Sequence, residues 1–149
     1  MNDIDGEVRR VCELVAVYSP AYGKLTANYD SMADNDPMTA FGLMKTASNL
    51  QASYDTLTGK VTKLVLLQEK YARFIQSKKS CELATKPTEG ERQASRSPEV
   101  LEEWSTYAMV VSMQKQLEGI CRHLNRIYYD SKSVYEIGSR QLNKGFKYE

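Results

Sequence analysis

His123 is the only histidine in the chain, so a catalytic triad, a zinc centre or an imidazole general base would each have to be built on it. It stands beside Arg122 and Arg126, whose charge disfavours both its protonation and a bound cation. It therefore reads as a surface or half-buried helix residue. Cys12, Cys81 and Cys121 are odd in number, far apart and without zinc-ligand spacing. Each borders an apolar stripe, as a buried free thiol does. Thr58-Gly59-Lys60 and Gly23-Lys24 are Gly-Lys pairs, but neither has the upstream glycine or the strand-to-helix setting of a phosphate loop. Glu102 and Glu103 follow Ser97-Pro98, where acids complement a helix dipole, so capping explains them. These residues point to a protein that is not an enzyme and uses neither cofactor nor metal.

A different pattern falls between residues 60 and 96, which hold nine bases against four acids on a chain whose formal net charge is +1. Lys70, Arg73, Lys78 and Lys79 interleave there with Tyr71 and Phe74, and Lys86 and Arg92 follow. Cations neutralise phosphates and release counterions, while exposed aromatic rings stack on unpaired bases. The six bases are thus candidate nucleic-acid-binding residues, with a solvated helix end as the alternative. Tyr71 and Phe74 also lie on an apolar seam, which places them in core packing first and stacking second. Lys115, Arg122 and Arg126 recur at helical spacing and could extend the basic surface, while Tyr128-Tyr129 reads as packing.

The elements that carry these residues read as all-α. Asp36-Pro37 has a capping acid and a proline suited to the first helical position. From there Leu43, Ala47, Leu50, Tyr54, Leu57, Val61, Leu64, Leu67, Tyr71 and Phe74 form the seam of a long first arm, residues 37–84. Gly42 and Gly59 are points where that arm could kink. Ser97-Pro98 opens a second arm, residues 98–143, with Val110, Met113, Leu117, Ile120, Leu124, Ile127 and Val134 along its seam and a stop near Gly145. Val100, Trp104, Tyr107 and Val111 make a shifted stripe, which predicts burial on two sides: against the other arm, and against the N-terminal helices or another subunit. Residues 85–97 read as a polar connector. In residues 1–36, one helix with Val8, Val11, Cys12 and Val15 on its apolar face should end near Tyr18, because Ser19-Pro20 is a breaker. A short helix from Ala21 to Tyr29 should follow. The expected architecture is a single helical domain: a long antiparallel, coiled-coil-like hairpin with short helices packed on it. Leu57, Val61, Leu64, Leu117, Ile120, Leu124 and Ile127 form its core or oligomer seam, and self-association is expected.

At 149 residues and 42% hydrophobic content the chain can fill a core, and its 26% of charged residues suit a soluble surface. Residues 1–36 carry seven acids and three bases, the reverse of a basic-then-apolar leader, and no long apolar run exists. The expected location is the cytoplasm, with no membrane contact.

The layout of Leu67-Gln68-Glu69-Lys70-Tyr71-Ala72-Arg73-Phe74, then Thr88-Glu89-Gly90-Glu91-Arg92, then Ser97-Pro98-Glu99-Val100 and a long closing helix resembles phage recombination mediators of the UvsY-like family. The resemblance covers residues 55–142. It implies a non-enzymatic protein of the host-cell cytoplasm that binds single-stranded DNA and assembles into rings. Such a protein helps load a strand-exchange recombinase on DNA covered by single-strand-binding protein. It also implies that Lys70, Arg73, Lys78 and Lys79 correspond to the family's basic cluster. Glu69 and Glu82 among those bases, and the near-zero net charge, depart from the family pattern. The competing expectation is a structural or adaptor helical protein, such as a virion component or a partner-binding chaperone, whose basic tip meets protein or water.

Overall fold

Asp36 caps a helix as its position before Pro37 requires. Its Oδ1 accepts the backbone N–H of Thr39 at 3.1 Å, and its Oδ2 accepts the Thr39 hydroxyl proton. These two bonds, the hydroxyl's first, hold the Asp36 carboxyl below the usual aspartate range. Because the folded value is depressed, the contribution is present above the ordinary carboxylate pKa and is lost as pH falls. Ser97 stands in the same relation to Pro98, its carbonyl accepting the N–H of Leu101 at 3.0 Å.

The computed structural model describes residues 4–33, 36–83 and 87–147, and their secondary structure is entirely helical. In chain order these are α1 (Ile4–Asp30), α2 (Pro37–Leu83), α3 (Pro87–Ala94) and α4 (Pro98–Lys147). The helices divide between two compact units. The first comprises Met1–Val11 and Thr58–Gln116, the second Cys12–Leu57 and Leu117–Glu149.

Within the first unit α2 and α4 run antiparallel and are tied by polar side chains. Gln114 Nε2 donates to Thr62 Oγ1 at 3.0 Å, Trp104 Nε1 donates to Gln76 Oε1 at 3.0 Å, and Lys79 lies 3.7 Å from Glu99. Gln68, 1% exposed, donates from Nε2 to the Glu103 carbonyl at 2.9 Å and to its Oε2 at 2.8 Å. A buried amide is tolerable only when paired in this way. Val61, Leu64, Val65, Ala72, Val100 and Val110 supply the apolar part of this core. Of the stripe of Val100, Trp104, Tyr107 and Val111, Val100 is buried and the other three are half-buried, with Trp104 held to α2 by its bond to Gln76.

In the second unit α2 and α4 are again antiparallel, with Pro37 against Gly138 and the Phe41 ring tilted against that of Tyr135. There α1 runs parallel to α4, since Tyr22 meets His123 and Tyr29 meets Asp130. Leu25, Leu43, Ala47, Tyr54, Leu57, Leu117, Leu124 and Ile127 are buried, and Ile120 is half-buried.

Four sequence expectations are corrected. α1 continues through Ser19-Pro20 as one helix instead of breaking there. Pro20 lacks the N–H that would reach the Ala16 carbonyl, but both residues face solvent, where water can take the partner's place. The connector contains α3, which starts with Pro87 at its first position and Glu89 in its first turn. α4 passes Gly145 and ends at Lys147. The thiols also differ, for Cys12 and Cys81 are exposed and Cys121 half-buried.

Two substitutions test the packing. A Cβ on buried Gly90 would lie 2.5 Å from the Ser80 carbonyl oxygen and 2.8 Å from its Oγ. The first of these is backbone and cannot swing aside. Gly90→Ala should thus push α3 off α2 and cost about 1–3 kcal/mol, read as a lower urea midpoint with an unchanged slope. Ser131 Oγ is buried with no hydrogen-bond partner among the described residues. Ser131→Ala removes that stranded hydroxyl at nearly constant volume, so it should stabilise the fold by about 1 kcal/mol. Calorimetry should then place the melting temperature a few degrees higher.

Candidate nucleic-acid interface

The six bases singled out in the sequence do not form one cluster. Arg73 lies 3.0 Å from Glu69, Lys79 3.7 Å from Glu99 and Arg92 4.0 Å from Glu89. Each pair is at least partly exposed and individually weak, but each supplies a carboxylate where a phosphate would have to sit. The open groove where the end of α2 meets α3 is lined by Glu82, Glu89 and Glu91 as well as Arg73. The hairpin tip is therefore of mixed charge rather than basic. Lys70 and Lys78 are exposed and make no ion pair among the described residues. Lys86 lies outside the described residues.

A better-formed surface lies along α2 within the first unit. At 100° per residue, Lys60, Lys63, Leu67, Lys70, Tyr71, Phe74 and Lys78 fall in a sector of roughly 100° pointing away from Gln68 and Ala72. Phe74 is 61% exposed and Leu67 46% exposed, while Tyr71 is half-buried. Both Leu67 and Phe74 were expected in the core. Lys60, Lys63, Lys70 and Lys78 are all exposed, and none is ion-paired among the described residues. Between Lys60 and Lys78 the only acid is Glu69, which lies on the other side of the helix with Arg73. The row is about 27 Å long at 1.5 Å per residue. It offers four mobile cations around an exposed ring and a half-exposed one, the composition that takes a phosphodiester chain with stackable bases.

Lys60 and Lys63 belong to the basic segment but were not singled out by sequence. The missed signal is the seven-residue spacing of Lys60, Leu67 and Phe74, repeated by Lys63 and Lys70.

The second unit holds a polar cluster of another kind. The Tyr22 hydroxyl is 2.5 Å from Nδ1 of His123, and the imidazole packs edge-on against the Tyr22 and Tyr29 rings. Tyr29 donates to the Asp130 carboxylate. Tyr18 and Tyr22 both meet Tyr54 edge-on, at centroid distances of 5.8 and 5.9 Å. Burial pushes the Tyr22 and Tyr54 phenols up, and the hydrogen bond to Asp130 does the same for Tyr29. The three phenols thus stay protonated at neutral pH, and Tyr29 acts as a donor. Tyr22 occupies one nitrogen of His123, and the cluster fastens α1 to α2 and α4. His123 is half-buried as its surroundings in sequence suggested, but its tyrosine partner was not foreseen.

Among the described residues no group of three or more histidine, cysteine or carboxylate side chains could hold a metal ion. No helix among them is long and apolar enough to cross a membrane. No family model, curated protein or solved structure matches the chain.

Proposed function

We propose that this protein binds single-stranded DNA without catalysis, through the α2 row of Lys60, Lys63, Lys70 and Lys78 around Leu67, Tyr71 and Phe74. The observation that carries this is the exposure of Phe74 among lysines with no ion-pair partner among the described residues. Phe74 and Leu67 together leave apolar surface on one face of α2 that a bound partner would remove from water. Four ammonium groups beside it select an anionic partner over an apolar one. Duplex DNA stacks its bases internally and leaves nothing for the ring, so an unpaired strand is the better fit. The layout shared with phage recombination mediators extends the proposal to a role: presenting bound strand to a recombinase alongside single-strand-binding protein, by a self-associated form of the chain.

A fluorescence-anisotropy titration of a labelled, unstructured oligonucleotide at two salt concentrations tests the core of this proposal. Binding should weaken steeply with salt, and a duplex of the same length should bind less well. Absence of binding at low salt, or binding indifferent to salt, would rule it out. The second proposal, an adaptor or virion component that docks another protein here, draws on Leu66, 55% exposed at the edge of this face beside Lys63 and Lys70. A leucine adds apolar contact but no stacking.

A further inference from the structure

We infer that α4 carries a second, separate polynucleotide-binding row within the second unit, made of Arg122, Arg126, Tyr129, Ser133 and Arg140. The inference rests on the proposed nucleic-acid role but on different residues of a different helix. Arg122 and Arg140 are eighteen positions apart, five turns, so they point the same way. Arg126, Tyr129 and Ser133 fall between them in a sector of roughly 60°, on the side of α4 opposite Leu124 and Ile127. All five are exposed. None of the three arginines has a carboxylate partner among the described residues. Tyr129 is 55% exposed, and its ring is braced edge-on by Tyr128 at 5.2 Å between centroids. The sequence had suggested that this tyrosine is packed.

The charges that could cancel the row can be named. On α4 itself Asp130 accepts the Tyr29 hydroxyl with Arg126 nearby, and Glu118 and Glu136, both exposed, flank the sector on one side. Lys132, half-buried, adds a further base to the segment. The sector itself presents three guanidinium groups and a held aromatic ring to solvent, with the Ser133 hydroxyl donating to the Tyr129 carbonyl at 3.1 Å. Arginine binds a phosphate with two parallel N–H donors and stacks on a base with its flat face, and tyrosine stacks beside it. The matching ligand is a phosphodiester strand with unpaired bases. The geometry gives no reason for base selectivity, because each interaction falls on a backbone phosphate or a ring face.

The test uses the full chain and an oligonucleotide carrying 5-iododeoxyuridine, which photo-crosslinks to an aromatic side chain it stacks on. Crosslinked peptides are mapped by mass spectrometry, and affinity is measured in parallel for Arg122→Ala/Arg126→Ala/Arg140→Ala. The expected result is a crosslink at Tyr129, together with about a tenfold or greater loss of low-salt affinity in the triple variant. The slope of log affinity on log salt should fall by roughly 2, at about 0.7 for each phosphate no longer neutralised. All three positions are exposed, and circular dichroism checks that helicity is unchanged. A crosslink confined to Tyr71 or Phe74, with the triple variant binding as wild type, overturns this inference and leaves the α2 row standing. A Tyr129 crosslink with none on α2 supports it and removes the α2 row. No crosslink and no binding rejects both. Binding of phosphatidylserine vesicles in place of the oligonucleotide, lost in the triple variant, also overturns it, since the row would then be a membrane-surface site.

Discussion

Replacing Lys60, Lys63, Lys70 and Lys78 together by alanine should lower single-stranded DNA affinity at low salt by two orders of magnitude or more and reduce the salt slope by roughly 2.8. That figure is about 0.7 for each of four neutralised phosphates on a single strand. The four ammonium groups are exposed and unpaired among the described residues, so their removal strands no buried charge and should leave the helical content intact. Two controls give the experiment its edge. Arg73→Ala/Lys79→Ala removes two bases that already have carboxylate partners at 3.0 and 3.7 Å, and should cost far less affinity. Phe74→Ala keeps every charge, so it should weaken binding by about 1–3 kcal/mol with the slope unchanged. If the paired bases matter as much as the free lysines, binding is a diffuse charge effect and not the property of this row. If Phe74→Ala is silent, the ring does not stack.

The contrast between free and paired bases marks where sequence reasoning about the site stops. Lysine and arginine are visible in a sequence, but their partners are not. Lys79 and Glu99 lie on different helices, and only the antiparallel packing of α2 on α4 brings them together. Arg73 and Glu69 are four apart on one helix, so that pairing was within reach of helical spacing. Charge counting over residues 60–96 could not separate Lys70, which has no ion pair among the described residues, from Arg92, which faces Glu89.

The helices themselves were more legible. Asp36-Pro37 and Ser97-Pro98 are strong start signals, and both arms begin there. The seam was traced correctly from Leu43 to Leu64 apart from Leu50, which is half-buried, and then lost. Choosing by residue type steps from Leu64 to Leu67, because leucine resembles core and glutamine does not. Helix geometry instead steps to Gln68. Leu43 and Val61, and likewise Tyr54 and Ala72, are eighteen positions apart, and these buried residues advance at 3.6 per turn. Gln68 is admitted because Glu103 satisfies its amide. That displacement is what turns Leu67 and Phe74 outward, so the same error that misplaced the core also hid the candidate interface. On α4 the buried residues Val110, Leu117, Leu124 and Ser131 hold a strict seven-residue spacing, and there the sequence pattern held.

Core loss should be most severe at Tyr54. Its side chain is 1% exposed and is the largest among the fully buried ones, with the rings of Tyr18 and Tyr22 against it. Tyr54→Ala removes a whole aromatic ring at the point where α1 meets α2, and the neighbouring rings can close the gap only in part. The expected cost is about 3–5 kcal/mol, a large share of the stability of a chain this size. Urea denaturation followed by circular dichroism measures it. Hydrogen exchange adds the location, because the packing around this ring lies within Cys12–Leu57 and Leu117–Glu149. Protection should fall first in α1 beyond Cys12 and in the adjoining half of α2. Tyr54→Phe keeps the ring volume and both edge-on pairs, so it should lose much less. A Tyr54→Ala variant that unfolds at the wild-type urea midpoint would mean that α1 is not held by this aromatic cluster. The tyrosine ladder of Tyr18, Tyr22 and Tyr29 would then be a surface feature and not the clamp that its geometry describes.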